Sequence, residues 1–374
     1  MTATRTLLFF AIFIGGLLTL DTTPASAQAA IATSTRNGEE LYRSGCATCH
    51  GPDGKGAVRA QLGFDNDLPD FTDCTFSTPE ADSDWLAIIH QGGTVRAFSR
   101  RMPAFEDLLT DADIERLVGY LRTFCTNRTW PPGDLNLPRP LFTEKAFPEN
   151  EALLTTNITS GTDATVENGF LYEHRIGARS QYEVNVPITV QSQDGAWTNG
   201  LGDVTVAFKH VLFHDLGKGA ILSAGAEALL PTGSEERGLG KGVTIFEPFV
   251  AFGKILPSDG FLQVHTGIEL PTDTTKSARE AFARLALGKS FTQGAWGRSW
   301  SPMVELLVAH ESGSDEPTLW DLAPQMQVTL SRRQHIMISG GIKIPLNERS
   351  DRGVEVATYF LWDWFDGGLF DGWR

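Results

Sequence analysis

Hydrophobic and polar positions follow two different rules along this chain. Up to about residue 128 the apolar positions recur at helical spacing, clearest in Asp113-Ile114-Glu115-Arg116-Leu117-Val118-Gly119-Tyr120-Leu121-Arg122, with Thr110 or Asp111 placed to cap the helix. Shorter amphipathic stretches occur at Gly38 to Tyr42 and at Asp84 to His90. After about residue 151 the period falls to two. In Tyr182 to Val190, residues Tyr182, Val184, Val186, Ile188 and Val190 share one face, while Glu183, Asn185 and Thr189 share the other. Leu262 to Leu270 and Gln325 to Leu330 repeat this alternation, and Val243 to Lys254 follow it less cleanly. Between the two regimes Pro131, Pro132, Pro138, Pro140 and Pro148 predict a semi-rigid, extended connector over 129–150.

The alternating half divides into segments of about ten residues, and Leu230-Pro231-Thr232-Gly233, Leu270-Pro271-Thr272-Asp273 and Ile344-Pro345-Leu346-Asn347 each end a strand and open a polar loop. About twelve strands fit between Ala152 and Phe365. The expected fold is therefore an all-α domain over 35–128, then an antiparallel up-and-down β-barrel over 151–374. Short turns are expected at His214 to Gly219, Pro257 to Gly260 and Arg332 to Gln334, and long loops at Thr232 to Gly242 and Glu311 to Leu319. Trp197, Trp320, Trp362 and Trp364 near strand ends suit the aromatic girdles of a membrane barrel. A soluble β-sandwich shows the same alternation, because any sheet with one wet face does.

At the N-terminus Arg5 precedes an apolar run from Leu7 to Leu20, followed by Ala25-Ser26-Ala27. This predicts a signal peptide over 1–27, the run being shorter than the roughly 20 residues that span a bilayer. The formal charge of -15 excludes phosphate-backbone recognition, so no nucleic-acid partner is expected.

The strongest chemical signal is Cys46-Ala47-Thr48-Cys49-His50. Two thiols three positions apart can reach the two vinyl groups of one porphyrin, and the adjacent imidazole then falls beneath the iron. One covalent haem c is therefore expected, on Cys46 and Cys49 with His50 as iron ligand. Half of a zinc site and a redox dithiol are the other readings; the first needs further nearby ligands, and the second has no use for the histidine. Of the four cysteines, Cys74 and Cys125 are left to form a disulfide in an oxidising compartment or to remain buried thiols.

With its haem motif, flanking helices and Arg101-Met102-Pro103-Ala104-Phe105 loop, the segment from Thr35 to about Arg128 resembles class I c-type cytochromes. The resemblance implies Met102 as sixth iron ligand, a raised reduction potential, and an electron carrier rather than an enzyme. His90, another imidazole, is the competing ligand, and Met102 also has a plain reading as core filler. Through Gly200 to Lys209 the second half resembles porin-like outer-membrane proteins that transport aromatic compounds. As a whole the chain resembles fused cytochrome-porin proteins that carry electrons across outer membranes, some of them implicated in iron oxidation, although those have a smaller haem segment and a larger barrel.

The resemblance implies a Gram-negative outer membrane, a cytochrome domain facing the periplasm, and a redox partner protein or extracellular electron donor or acceptor. A domain of about 90 residues has a radius of gyration near 12 Å and does not fit inside a small barrel. The alternative function is a channel for small solutes, gated or sensed by the haem domain; lumen-facing Glu183, His265 and Glu269 are candidates to line a pore or to bind a cation.

Overall fold

The computed structural model describes residues 35–58, 62, 68–160, 164–193, 196–313, 316–350 and 352–364. The expected signal peptide and Phe365, the expected end of the last strand, lie outside them.

The helical domain contains α1 (Gly38–Gly45), α2 (Ala47–His50), α3 (Cys74–Ser77), α4 (Asp82–Gln91) and α5 (Asp111–Leu121). Reciprocal capping boxes start the two helices that pack together, Asn37 with Glu40 on α1 and Thr110 with Asp113 on α5. Of the two expected caps on α5, Thr110 is the one used. A β-carbon on Gly38 would stand 2.2 Å from the Arg116 carbonyl oxygen, so only glycine lets α1 approach α5 this closely. Leu41, Tyr42, Phe71, Trp85, Ile89, Ile114, Leu117, Val118 and Leu121 form the core. Cys74 and Cys125 are joined as a disulfide, tying α3 to the segment after α5.

The second half forms β1 (Glu151–Thr159), β2 (Thr165–Ile176), β3 (Ser180–Gln193), β4 (Ala196–Leu201), β5 (Val204–Asp215), β6 (Ala220–Leu230), β7 (Ile245–Leu256), β8 (Gly260–Pro271), β9 (Glu280–Lys289), β10 (Phe291–Thr292), β11 (Ser299–Glu311), β12 (Leu319–Thr329), β13 (Ile336–Pro345) and β14 (Glu355–Asp363). Twelve of these strands close into an antiparallel barrel through the β1–β14 and β9–β11 pairings, leaving β4 and β10 as extensions beside β3 and β11. Its polarity is inside out. Ile188, Leu212, Phe246 and Phe208 face outward at 53, 54, 50 and 49 % exposure, whereas Glu173, Glu305 and Ser223 face inward at 0 %. A sandwich in water buries the first set and exposes the second; only lipid outside the wall reverses the preference. Strands of nine to fourteen residues, at about 3.3 Å per residue and a tilt near 40°, cover the ~25 Å apolar band of an outer membrane.

The proline-rich segment does more than connect. Residues 135–149 enter the lumen and bind its wall on many sides. The Leu141 amide donates to Glu305 and Gln325, each at 3.0 Å, and Arg284 donates to the Phe142 carbonyl at 2.9 Å. Gln263 donates to the Pro138 carbonyl at 2.7 Å, Ser223 to the Ala146 carbonyl at 2.5 Å, and Tyr359 to the Arg139 carbonyl at 2.7 Å. Arg139 spans Glu151 and Glu173, while Lys209 reaches Glu144. Leu135 and Phe147 pack on Ile221 and Phe249, and Leu137 packs on Phe261 and Met303. An extended proline-rich backbone leaves its carbonyls free to accept, and a polar lumen supplies the donors.

The helical domain sits against the barrel end that carries the short turns. Arg96 donates to the Trp296 carbonyl at 2.8 Å, Arg333 lies 4.1 Å from the Phe98 ring centroid, and His335 Nε2 is 3.2 Å from Glu80.

Candidate haem-binding site

The cysteine-histidine motif occupies one short helix, and neighbouring loops hold it. The Tyr42 hydroxyl donates to the Gly51 carbonyl at 2.6 Å, while the Gly56 and Ala57 amides donate to the His50 and Cys49 carbonyls at 2.9 and 2.8 Å. These bonds fold the chain back after the motif and turn the His50 ring onto Phe71, with ring centroids 4.9 Å apart. Burial pushes the imidazole down to about 4, so at neutral pH it is uncharged and able to donate a lone pair to a metal. Its Nδ1 is buried without a hydrogen-bond partner among the described residues. Burial, and then the neighbouring Cys49, push the Cys46 thiol up to about 11. A thiol held in that form does not suit a redox dithiol. Among the described residues no Cys/His cluster with metal-ligand spacing surrounds the motif.

Met102 lines the same cavity from the loop after α4. Gly92 at φ 77° ends that helix, and the Gly93 amide donates to the Met102 carbonyl at 3.0 Å. Cys46, Cys49, His50 and Met102 all line one cavity of about 500 Å³, walled mainly by apolar residues such as Leu68, Phe71, Trp85, Ile88, Ile89 and Phe105. The size, the apolar wall and the presence of an imidazole and a thioether in one lining all fit a porphyrin. His90, the competing ligand, does not line this cavity. Its Nε2 lies 3.4 Å from Asp111, and its ring faces Trp296 at 5.0 Å.

The cavity wall also includes two barrel residues, Arg333 and His335, from the turn between β12 and β13. In the sequence they sit in or beside what reads only as a short turn, and no local pattern ties them to a motif near residue 50. Glu80, Asp84, Arg96, Arg333 and His335 border a second cavity as well, which continues along the plug to Arg139 and Glu151.

Residues 33–121 match the family described as cytochrome C oxidase, cbb3-type, subunit III, and residues 150–301 match the family described as putative MetA-pathway of phenol degradation. The chain joins a c-type cytochrome domain to a porin-like β-barrel. The plug falls mostly between the two matches. No curated protein matches the chain. Among solved structures, an outer membrane channel from Pseudomonas putida F1 is 13 % identical over 61 % of this chain and 100 % of its own, with a TM-score of 0.45. The NanC porin is 10 % identical over 57 % and 99 %, at 0.39, and the KdgM porin 8 % over 57 % and 99 %, at 0.38.

Inside the barrel, Glu183 lies with Glu144 and Glu173, their carboxylates within 4.8 Å of one another. Lys209 and Arg139 already pair with two of the three, which makes this an ion network anchoring the plug. His265 stands 3.9 Å from Glu247, and Glu269 the same distance from Lys241. His210 bonds the Ser180 hydroxyl at 2.8 Å, and His174 packs between Tyr172 and Tyr182.

Proposed function

We propose that the protein is a monohaem electron carrier anchored in the outer membrane, with its cytochrome domain on the periplasmic side and its haem held covalently by Cys46 and Cys49. His50 and Met102 would supply its two protein ligands to iron. The observation that carries this reading is the single apolar cavity onto which all four side chains converge. When bound there, haem supplies a one-electron couple. His50 and Met102 would hold the iron, leaving no position for oxygen or peroxide, and the cavity wall would keep the group in an apolar environment that favours the reduced form. The short turns of outer-membrane barrels face the periplasm, and the docking of the helical domain at that end supports a periplasmic cytochrome within reach of a redox partner.

The solute-channel alternative draws on the charged lumen, where Glu280, Arg284, Asp321 and Lys343 border a cavity of about 330 Å³ beside the plug. The plug opposes it by filling the lower lumen.

The test is a redox titration with visible spectroscopy on protein extracted from outer membranes in detergent, comparing wild type with Met102→Ala. The expected result is haem in the membrane fraction whose methionine-ligated spectrum and high potential are lost in the variant. Haem in a soluble fraction would contradict the anchoring, and an unchanged spectrum would remove Met102 as ligand.

A further inference from the structure

We propose that the β12–β13 turn of the barrel is part of the haem-binding site, with Arg333 as the cation that meets the acidic edge of the porphyrin and His335 holding the turn in place. The proposal rests on the haem reading above and extends it across the domain boundary. Both residues line the same cavity as His50 and Met102. Both are also fixed in place: Arg333 is 8 % exposed and lies over Phe98, while His335 is 3 % exposed and lies between Asp363 on its Nδ1 side and Glu80 on its Nε2 side.

Haem carries two carboxylates, and placing them at an apolar cavity is costly unless charge-assisted donors meet them. The arginines and histidines lining the cavity, apart from His50, are Arg96, Arg101, Arg333 and His335; the carboxylates there are Glu80 and Asp84. Arg96 is committed, with Nε on Asp84 at 2.5 Å and Nη1 on the Trp296 carbonyl at 2.8 Å. His335 is engaged on both ring nitrogens, by Asp363 and Glu80, so Arg333 is the cation that the barrel brings to this wall. A guanidinium is the side chain best shaped to grip a carboxylate in two-point fashion. Two consequences follow. The haem becomes a joint between the domains, holding the cytochrome on the barrel mouth. The positive charge of Arg333 also favours the reduced iron, so the barrel raises the potential of a haem carried by another domain.

The test uses the full-length protein in detergent and reads haem content and midpoint potential in Arg333→Gln, Arg333→Met, Arg333→Lys and the exposed neighbour Arg332→Gln. The methionine variant keeps an apolar stem over Phe98, in case the glutamine variant does not assemble. Wild type without covalent haem would overturn the haem reading itself. With haem present in all variants, the expected result is a lowered potential in Arg333→Gln and Arg333→Met, with Arg333→Lys and Arg332→Gln close to wild type. Neutral variants at 333 that titrate together with Arg332→Gln would overturn the cationic role of Arg333 while leaving the haem assignment standing.

Discussion

Gly93 controls how closely the methionine loop approaches the cavity. A β-carbon there would meet the Ser99 carbonyl oxygen at 2.4 Å and the Met102 β-carbon at 3.2 Å, so Gly93→Ala pushes the loop that carries Met102 outward. The expected outcome is a folded, haem-bearing protein whose visible spectrum shows partial loss of methionine ligation and whose potential falls, though less than in Met102→Ala. A spectrum identical to wild type would show that the loop absorbs the added atom without moving its thioether. Much of this site was legible in the sequence because its chemistry is local: the two cysteines and His50 sit within five positions, and Met-Pro marks its own loop. The preference for Met102 over His90 rested on the Met-Pro loop and the cytochrome resemblance, since the spacing of α4 does not decide which way its last turn points. Asp111 and Trp296 hold His90 away from the cavity, and Trp296 belongs to a hairpin far along the chain. Arg333 and His335 could not be found from sequence, because a turn residue acquires its meaning only from what docks against it.

Among elements, the strands were the most legible, since a period of two against lipid writes itself into every segment: Glu183 turns inward and Ile188 outward as the alternation requires. The small extensions β4 and β10 carry no such signal. The plug was the larger omission. Its prolines describe an extended backbone correctly, but its partners are spread over β2, β5, β6, β8, β9, β11, β12 and β14, and an aperiodic segment does not reveal where it will be buried. Arg139 is its electrostatic centre, contacting Glu151 at 2.5 Å and Glu173 at 2.9 and 3.0 Å. Removing one partner of a buried pair leaves charge stranded, typically at a cost of about 3–5 kcal/mol. Arg139→Gln is expected to lower the midpoint of detergent-phase unfolding accordingly, whereas Arg139→Gln combined with Glu173→Gln recovers part of the loss. Equal midpoints for wild type and the single variant would mean that water already screens the pair.

For the molecule as a whole, the plug and the docked cytochrome act on the same end of the barrel, and together they determine whether the barrel is a pore. Ser223, Gln263, Glu305 and Tyr359 hold the plug backbone from different sides of the lumen, and Leu135, Leu137 and Phe147 fill the space between. A lumen occupied in this way carries little ionic current, while the cavity shared by the haem crevice and the plug gives the haem side a direct boundary with the barrel interior. In planar bilayers wild-type protein is therefore expected to be nearly silent, and protein in which 135–147 are replaced by a Gly/Ser linker of equal length is expected to conduct. The replacement keeps β1 and α5 intact, so haem content and potential serve as a control that the cytochrome still folds. If the wild type conducts as well as the replacement, the plug is not a seal, and the barrel then works as a channel beside which the cytochrome has a separate task. If only the replacement conducts, the barrel's role in the native protein is to hold and electrically shape a redox centre at the membrane surface, and the pore-like architecture is a scaffold that its own linker has closed.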